Sequence, residues 1–146
     1  MNIVLATDHA GFRHKEALKE HLVQAGYEVK DFGTNSEEAC DYPDFIFPAA
    51  QEVAKDPEHT RGIIFGGSGE GEAMTANRVK GVRATVYYGS RPEILELSRE
   101  HNNANVLSIG ARFVSEDEVL DAVDHWLSLP FSGDERHVRR IGKIDP

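Results

Sequence analysis

The sequence predicts an α/β fold, a three-layer sandwich with a five-stranded parallel sheet between helices, and three observations carry that expectation. Short apolar runs rich in branched side chains alternate along the chain with amphipathic stretches of helical period. Most of those runs are apolar throughout, as suits strands buried on both faces. Residues able to do chemistry fall just after strands, where open parallel sheets bind ligands near the switch in strand order.

The first strand is the apolar run Asn2–Thr7, which ends at Asp8-His9-Ala10-Gly11. From Phe12 to Gln24, Ala17, Leu18, His21 and Leu22 recur at helical spacing, and Gly26 supplies a stop. Residues Tyr27–Phe32 return to alternation, and Gly33-Thr34-Asn35-Ser36 breaks it. Asp41-Tyr42-Pro43 opens a helix through Ala54, with Pro43 tolerated in its first turn. Arg61–Phe65 is the next buried strand, followed by a glycine loop and a helix from Gly71 to Val79. Strands Arg83–Tyr88 and Asn105–Ile109 flank a helix from Pro92 to His101. Ser115, with Glu118 three residues on, caps a closing helix to Leu129 that Pro130 ends. Right-handed crossovers then give a Rossmann-like arrangement over residues 1–130, with 131–146 as a polar, basic tail that has no core of its own.

Composition narrows the function. With 146 residues, 40% of them hydrophobic, the chain builds one sizeable core. A net charge of −9 disfavours general nucleic-acid binding, which needs a basic surface. Cys40 is the only cysteine, so no internal disulfide and no paired-cysteine zinc site is available. The opening MNIVLATDHAGFRHK has no basic segment ahead of its apolar run, and no stretch is long enough to span a bilayer. A cytoplasmic protein without a membrane span is expected.

The loop Phe65-Gly66-Gly67-Ser68-Gly69-Glu70-Gly71-Glu72 fails two nucleotide motifs at one position. The dinucleotide pattern needs glycine at 72, the triphosphate pattern needs lysine there, and both find Glu72. A carboxylate there repels a polyphosphate. The amides of Gly67 to Gly71 still form a concave donor surface suited to a negative oxygen, including a transient oxyanion. If that anion is an enediolate, Glu72 becomes a candidate base. Further clusters are Asp8-His9, His101-Asn102-Asn103, Arg112, and Arg136-His137-Val138-Arg139-Arg140. On a helix, Arg136 and Arg140 share a face, an arrangement that an anion between them would relieve.

Taken together, these segments resemble the ribose-5-phosphate isomerase type B and galactose-6-phosphate isomerase group of sugar-phosphate isomerases. The resemblance runs through Thr7–Gly11, Asp41-Tyr42-Pro43, the glycine loop to Ala76-Asn77, His101–Asn105, Ile109–Arg112 and Arg136–Arg140. Many members carry a cysteine as base immediately before the loop glycine, where this chain has Gly66; it looks like the subset that uses the loop glutamate, here Glu72. The resemblance implies an aldose–ketose isomerase acting on ribose 5-phosphate through an enediolate. In it His101 opens the furanose ring and Glu72 moves the proton. Ser68, Asn102 and the amides of Gly67, Gly69 and Gly71 support the anionic oxygen, with Glu70 in the same loop.

Asp8, His9 and Tyr42 are expected to contact the sugar, and Arg112, Arg136 and Arg140 its phosphate, with His137 nearby. The family places the tail's arginines in a partner subunit's site, so a homodimer at least is expected, and pairing into a tetramer stays open. No cofactor and no metal are expected, since His9, His14 and His21 lack a ligand constellation. The preferred sugar stays open between ribose 5-phosphate, a hexose 6-phosphate and a tetrulose 4-phosphate, and a non-catalytic sugar-phosphate-binding subunit is the reading from another class.

Overall fold

The computed structural model describes residues 1–146 and sets all five strands parallel in one sheet. They are β1 (Asn2–Thr7), β2 (Glu28–Asp31), β3 (Thr60–Gly66), β4 (Ala84–Tyr87) and β5 (Val106–Gly110), in the order β2-β1-β3-β5-β4. Five helices, α1 (Phe12–Gln24), α2 (Pro43–Lys55), α3 (Glu70–Ala76), α4 (Glu93–Glu100) and α5 (Glu116–Ser128), pack around it, and a sixth, α6 (Glu135–Ile141), follows in the tail. The expected α/β sandwich is therefore the observed one. No helix is long and apolar enough to cross a membrane.

The pleat of β3 divides the core. Ile63 and Phe65 face one layer, where they meet Leu18 and Leu22 of α1, Leu95 of α4, and Val119, Val123 and Trp126 of α5. Ile64 faces the other, against Ile46, Ala49, Ala50 and Val53 of α2 and Ala76 at the end of α3. Both faces of β3 are buried over its whole length, which is why the run reads as apolar and branched. Each fully buried leucine of α1 contributes about 2 kcal/mol of transfer free energy.

Local rules set the helix ends. Ser115 accepts the Glu118 amide at 3.2 Å while Glu118 accepts the Ser115 amide at 2.7 Å, the reciprocal cap expected for α5. Helix α3 stops at Ala76, three residues before the sequence pattern does. Asn77 is drawn off to the start of β4, donating to the Ala84 carbonyl at 3.0 Å and accepting its amide at 2.8 Å. Its amide side chain thus replaces a missing strand neighbour.

The chain runs outward from β1 to β2 and then returns to the other side of β1 as β3, so the switch in strand order lies between β1 and β3. Thr7 pairs with Phe65, which brings the residues after both strands side by side. Asp8 and the glycine loop therefore share one crevice.

Candidate active site

At the carboxyl edge of the sheet the glycine loop is held from beneath by β5. The amides of Ala111 and Arg112 donate to the carbonyls of Gly66 and Gly67 at 2.8 and 3.1 Å, and the Ser108 hydroxyl donates to the Gly69 carbonyl at 2.6 Å. Gly69 has φ +80°, and a side chain there would press on Ser108 and the backbone of Ile109 and Gly110. Its neighbours are glycines for a different reason: functional side chains lie on them. The Arg112 guanidinium lies over Gly67, and the Tyr42 phenol lies over Gly71.

Glu72 sits in the first turn of α3 and is only 4% exposed. Its carboxyl occupies the space a side chain on Gly66 would fill, and a Cβ there would overlap it. Burial pushes the Glu72 carboxyl above its ordinary value; its own amide pulls the other way, and the Asp8 charge adds to the rise. No cation pairs with it. A buried carboxylate held above its usual range, without a counter-ion, is poised to take up a proton.

Asp8 is 8% exposed and accepts the Ala10 amide at 2.8 Å, which fixes the turn His9–Gly11. His9 is half-buried, and its Nδ1 accepts the Cys40 amide at 3.3 Å, leaving Nε2 to carry the proton of the neutral ring. Cys40 thus orients His9 through its backbone, a role the sequence did not signal. Ser68 and Glu70 are exposed at the loop tip, where the Ser68 hydroxyl accepts the Glu70 amide at 3.3 Å. Asp8, His9, Tyr42, Gly67, Ser68, Gly69, Glu70, Gly71, Glu72 and Arg112 thus lie together at one end of the sheet.

The remaining predicted residues lie at the other end. His101 terminates α4, and Asn102 and Asn103 precede β5, so all three sit at the amino edge. The five residues of β5 alone put about 13 Å between that edge and the glycine loop. His101 and Asn102 lead into β5, as their order in the sequence implies, whereas Glu72 follows β3, so the parallel sheet sets them at opposite edges. In a single chain Asn102 and the amides of Gly67 to Gly71 do not serve one oxygen.

Two arginines that the sequence reading passed over hold the His101 turn. Arg83 Nε donates to the carbonyls of Asn102 and Asn103 at 3.2 and 2.9 Å. Arg99 Nη1 donates to Asn103 Oδ1 at 2.9 Å and to the Ala104 carbonyl at 2.6 Å, with Asn103 in the left-handed region at φ +45°. Burial, and then the charges of Arg61 and Arg83, lower Arg99 to about 10. Their placement just before β4 and on the last turn of α4 was the available signal.

The tail packs at this same edge. The Ser132 amide donates to the Glu100 carbonyl at 3.1 Å, and α6 presents His137 inward with Arg136 and Arg140 exposed. The His137 ring stacks on His101, centroids 4.4 Å apart and planes 17° from parallel. Burial, then His101, Arg136 and Arg140, push the His137 pKa below its ordinary 6.5, with Asp134 opposing. The neutral ring is the folded form. The unfolded chain therefore gains a proton first as pH falls below about 6.5, and stability is lost from there down through the folded value. Protection of the α6 amides, taken relative to the intrinsic exchange rate at each pH, should fall as pH drops below about 6.5, a dependence that His137→Phe removes.

No set of three His, Cys, Asp or Glu side chains is arranged to hold a metal ion. What the carboxyl edge offers is a buried base beside a run of backbone amides, with tyrosine, histidine and arginine around it.

Residues 3–144 match the family model described as Ribose/Galactose Isomerase. The ribose-5-phosphate isomerase B of Mycolicibacterium paratuberculosis is 42% identical over 142 residues, 97% of this chain and 87% of that protein. Among solved structures, ribose-5-phosphate isomerase B from Clostridium thermocellum superposes with a TM-score of 0.91 at 44% identity, covering 99% of this chain and 95% of the other. The Mycoplasma genitalium enzyme, with ribulose-5-phosphate bound, superposes with a TM-score of 0.92 at 42% identity, covering 98% and 93%.

Proposed function

The chain belongs to the ribose/galactose isomerase family, and we propose that it interconverts ribose 5-phosphate and ribulose 5-phosphate in sites each assembled from two copies of itself. The observation that carries the reading is Glu72: a buried carboxyl with no ion-pair partner, seated over Gly66 beside the glycine loop.

In this reading one copy supplies Asp8, His9, Tyr42, the glycine loop, Glu72 and Arg112, and the second supplies His101, Asn102, Arg136 and Arg140. Ring opening breaks the C1–O4 bond; His101 gives its proton to O4, and the C1 hydroxyl gives its proton to a base, for which Asp8 is the placed group. Glu72 then removes the C2 proton, leaving an enediolate whose O1 faces the amides of Gly67 to Gly71 with Ser68. The same carboxyl returns the proton to C1, and the O2 hydroxyl proton moves to O1 to give the ketose. Burial suits Glu72 to both halves of that shuttle, because a carboxylate in water is too weak a base to take a carbon-bound proton. The arginines grip the phosphate as forks and so hold the reacting carbons over the base.

Proton NMR of the protein with ribose 5-phosphate in deuterated water tests this directly. Ketose should form with deuterium entering the carbon that receives the proton, because Glu72 exchanges with solvent while the enediolate waits. Absence of both conversion and exchange would sink the reading.

A further inference from the structure

We propose that His137 is a positioning residue for ring opening, a flat ring stacked on His101 that sets the angle at which His101 meets the sugar, and not a phosphate ligand. The inference rests on the isomerase reading above and adds to it a function for the side chain that α6 turns inward.

The structure separates His137 from its neighbours. Arg136 and Arg140 are exposed, whereas His137 is 5% exposed and its Nε2 is enclosed with no hydrogen-bond partner. A phosphate oxygen does not reach that nitrogen from solvent. What His137 does touch is the face of His101, with centroids 4.4 Å apart and planes 17° from parallel. The His101 backbone is fixed already, its amide bonded to the Leu97 carbonyl at 3.0 Å and the following turn held by Arg83 and Arg99. Side-chain rotation remains free, and a ring lying nearly parallel against it removes that freedom.

An acid delivers its proton only when the N–H points at the accepting oxygen, and a misplacement of about 1 Å costs on the order of a hundredfold. The tail helix is tied down on both sides of His137: Ser132 bonds to Glu100, and the Asp145 carboxylate accepts the Gly81 amide at 2.8 Å. Burial and the nearby arginines also keep His137 neutral, so its face is an uncharged platform.

The test uses the one chemical difference between the two sugars. Ribose 5-phosphate closes through C1 and O4 and must be opened. Ribulose 5-phosphate carries its phosphate on O5, the oxygen that a five-membered ring from C2 would need, so it is always open. Exchange of its C1 proton with deuterated water requires Glu72 and the enediolate but no ring opening.

Two variants that fill the imidazole's volume are compared with the wild type after their melting curves confirm folding: His137→Phe, which keeps a flat ring, and His137→Leu, which does not. In His137→Leu the ratio of ribose 5-phosphate conversion to ribulose 5-phosphate exchange should fall about tenfold or more, and in His137→Phe it should fall far less. An equal fall in both variants overturns the stacking role. An unchanged ratio with KM raised for both sugars makes His137 a phosphate ligand and overturns the proposal. A wild type that shows neither conversion nor exchange sinks the isomerase reading itself, and the positioning role with it.

Discussion

Replacing Glu72 with glutamine should cost about three to four orders of magnitude in turnover while raising the melting temperature at neutral pH. Both effects come from one fact, that the carboxyl is buried without a counter-ion. Glutamine has the same shape, so the space over Gly66 stays filled and sugar-phosphate binding survives. It cannot accept a proton, so deuterium exchange stops with conversion. The stability gain follows from the direction of the pKa shift. Burial raises the folded value above the ordinary 4.5, so ionisation costs the fold, and that cost is absent below about pH 4.5 and grows as pH rises through the folded value. The melting advantage of Glu72→Gln should therefore shrink toward zero near pH 4.5. Turnover within tenfold of wild type would move the base elsewhere, and a lower melting temperature at pH 7 would contradict the unpaired charge. The pairing of lost activity with gained stability marks a group kept for chemistry.

Gly66→Ala is expected to be nearly as damaging, with kcat falling about a hundredfold or more and KM changing little. A methyl group at 66 and the Glu72 carboxyl cannot occupy the same space, and Gly66 is locked in β3 opposite Gly110, so the carboxyl must give way. Overpacking at such a site also costs about 1–3 kcal/mol. Kinetics and melting of this one variant check both consequences; a kcat within threefold of wild type would show that the carboxyl has room to move. The same geometry accounts for the departure from the commoner family pattern. A cysteine base at 66 and a glutamate base at 72 exclude one another, so a chain with Glu72 seated here has glycine at 66.

How far the sequence could be read depended on how local each signal was. Helix α1 was readable end to end because its period runs through it and its glycine stop, Gly26, follows directly after its end, and the α5 cap because Ser115 and Glu118 are three residues apart. Asn77 defeated the same rules, since its partner Ala84 belongs to the next strand. Glu72 stood out because it broke two motifs at one position. The relation between Glu72 and Gly66 was not visible: six residues apart in sequence, they meet only once the loop folds back over β3. His101 was identified by residue type and set between its helix and the last strand, where it lies; that this puts it at the edge opposite Glu72 follows only from the direction of the sheet. The stack of His101 on His137 spans thirty-six positions along the chain and no pattern announces it.

The strand direction that puts His101 and Glu72 at opposite edges of the sheet has a genetic consequence. In the two-fold assembly proposed above, each site takes its base from one chain and its ring-opening acid from the other. On that proposal a chain defective at Glu72 and a chain defective at His101 are each expected to be inert alone. Mixed at random they form hybrids in about half of the dimers, and in every hybrid one site collects both defects while the other collects none. About a quarter of the sites are then whole, so two damaged alleles complement each other.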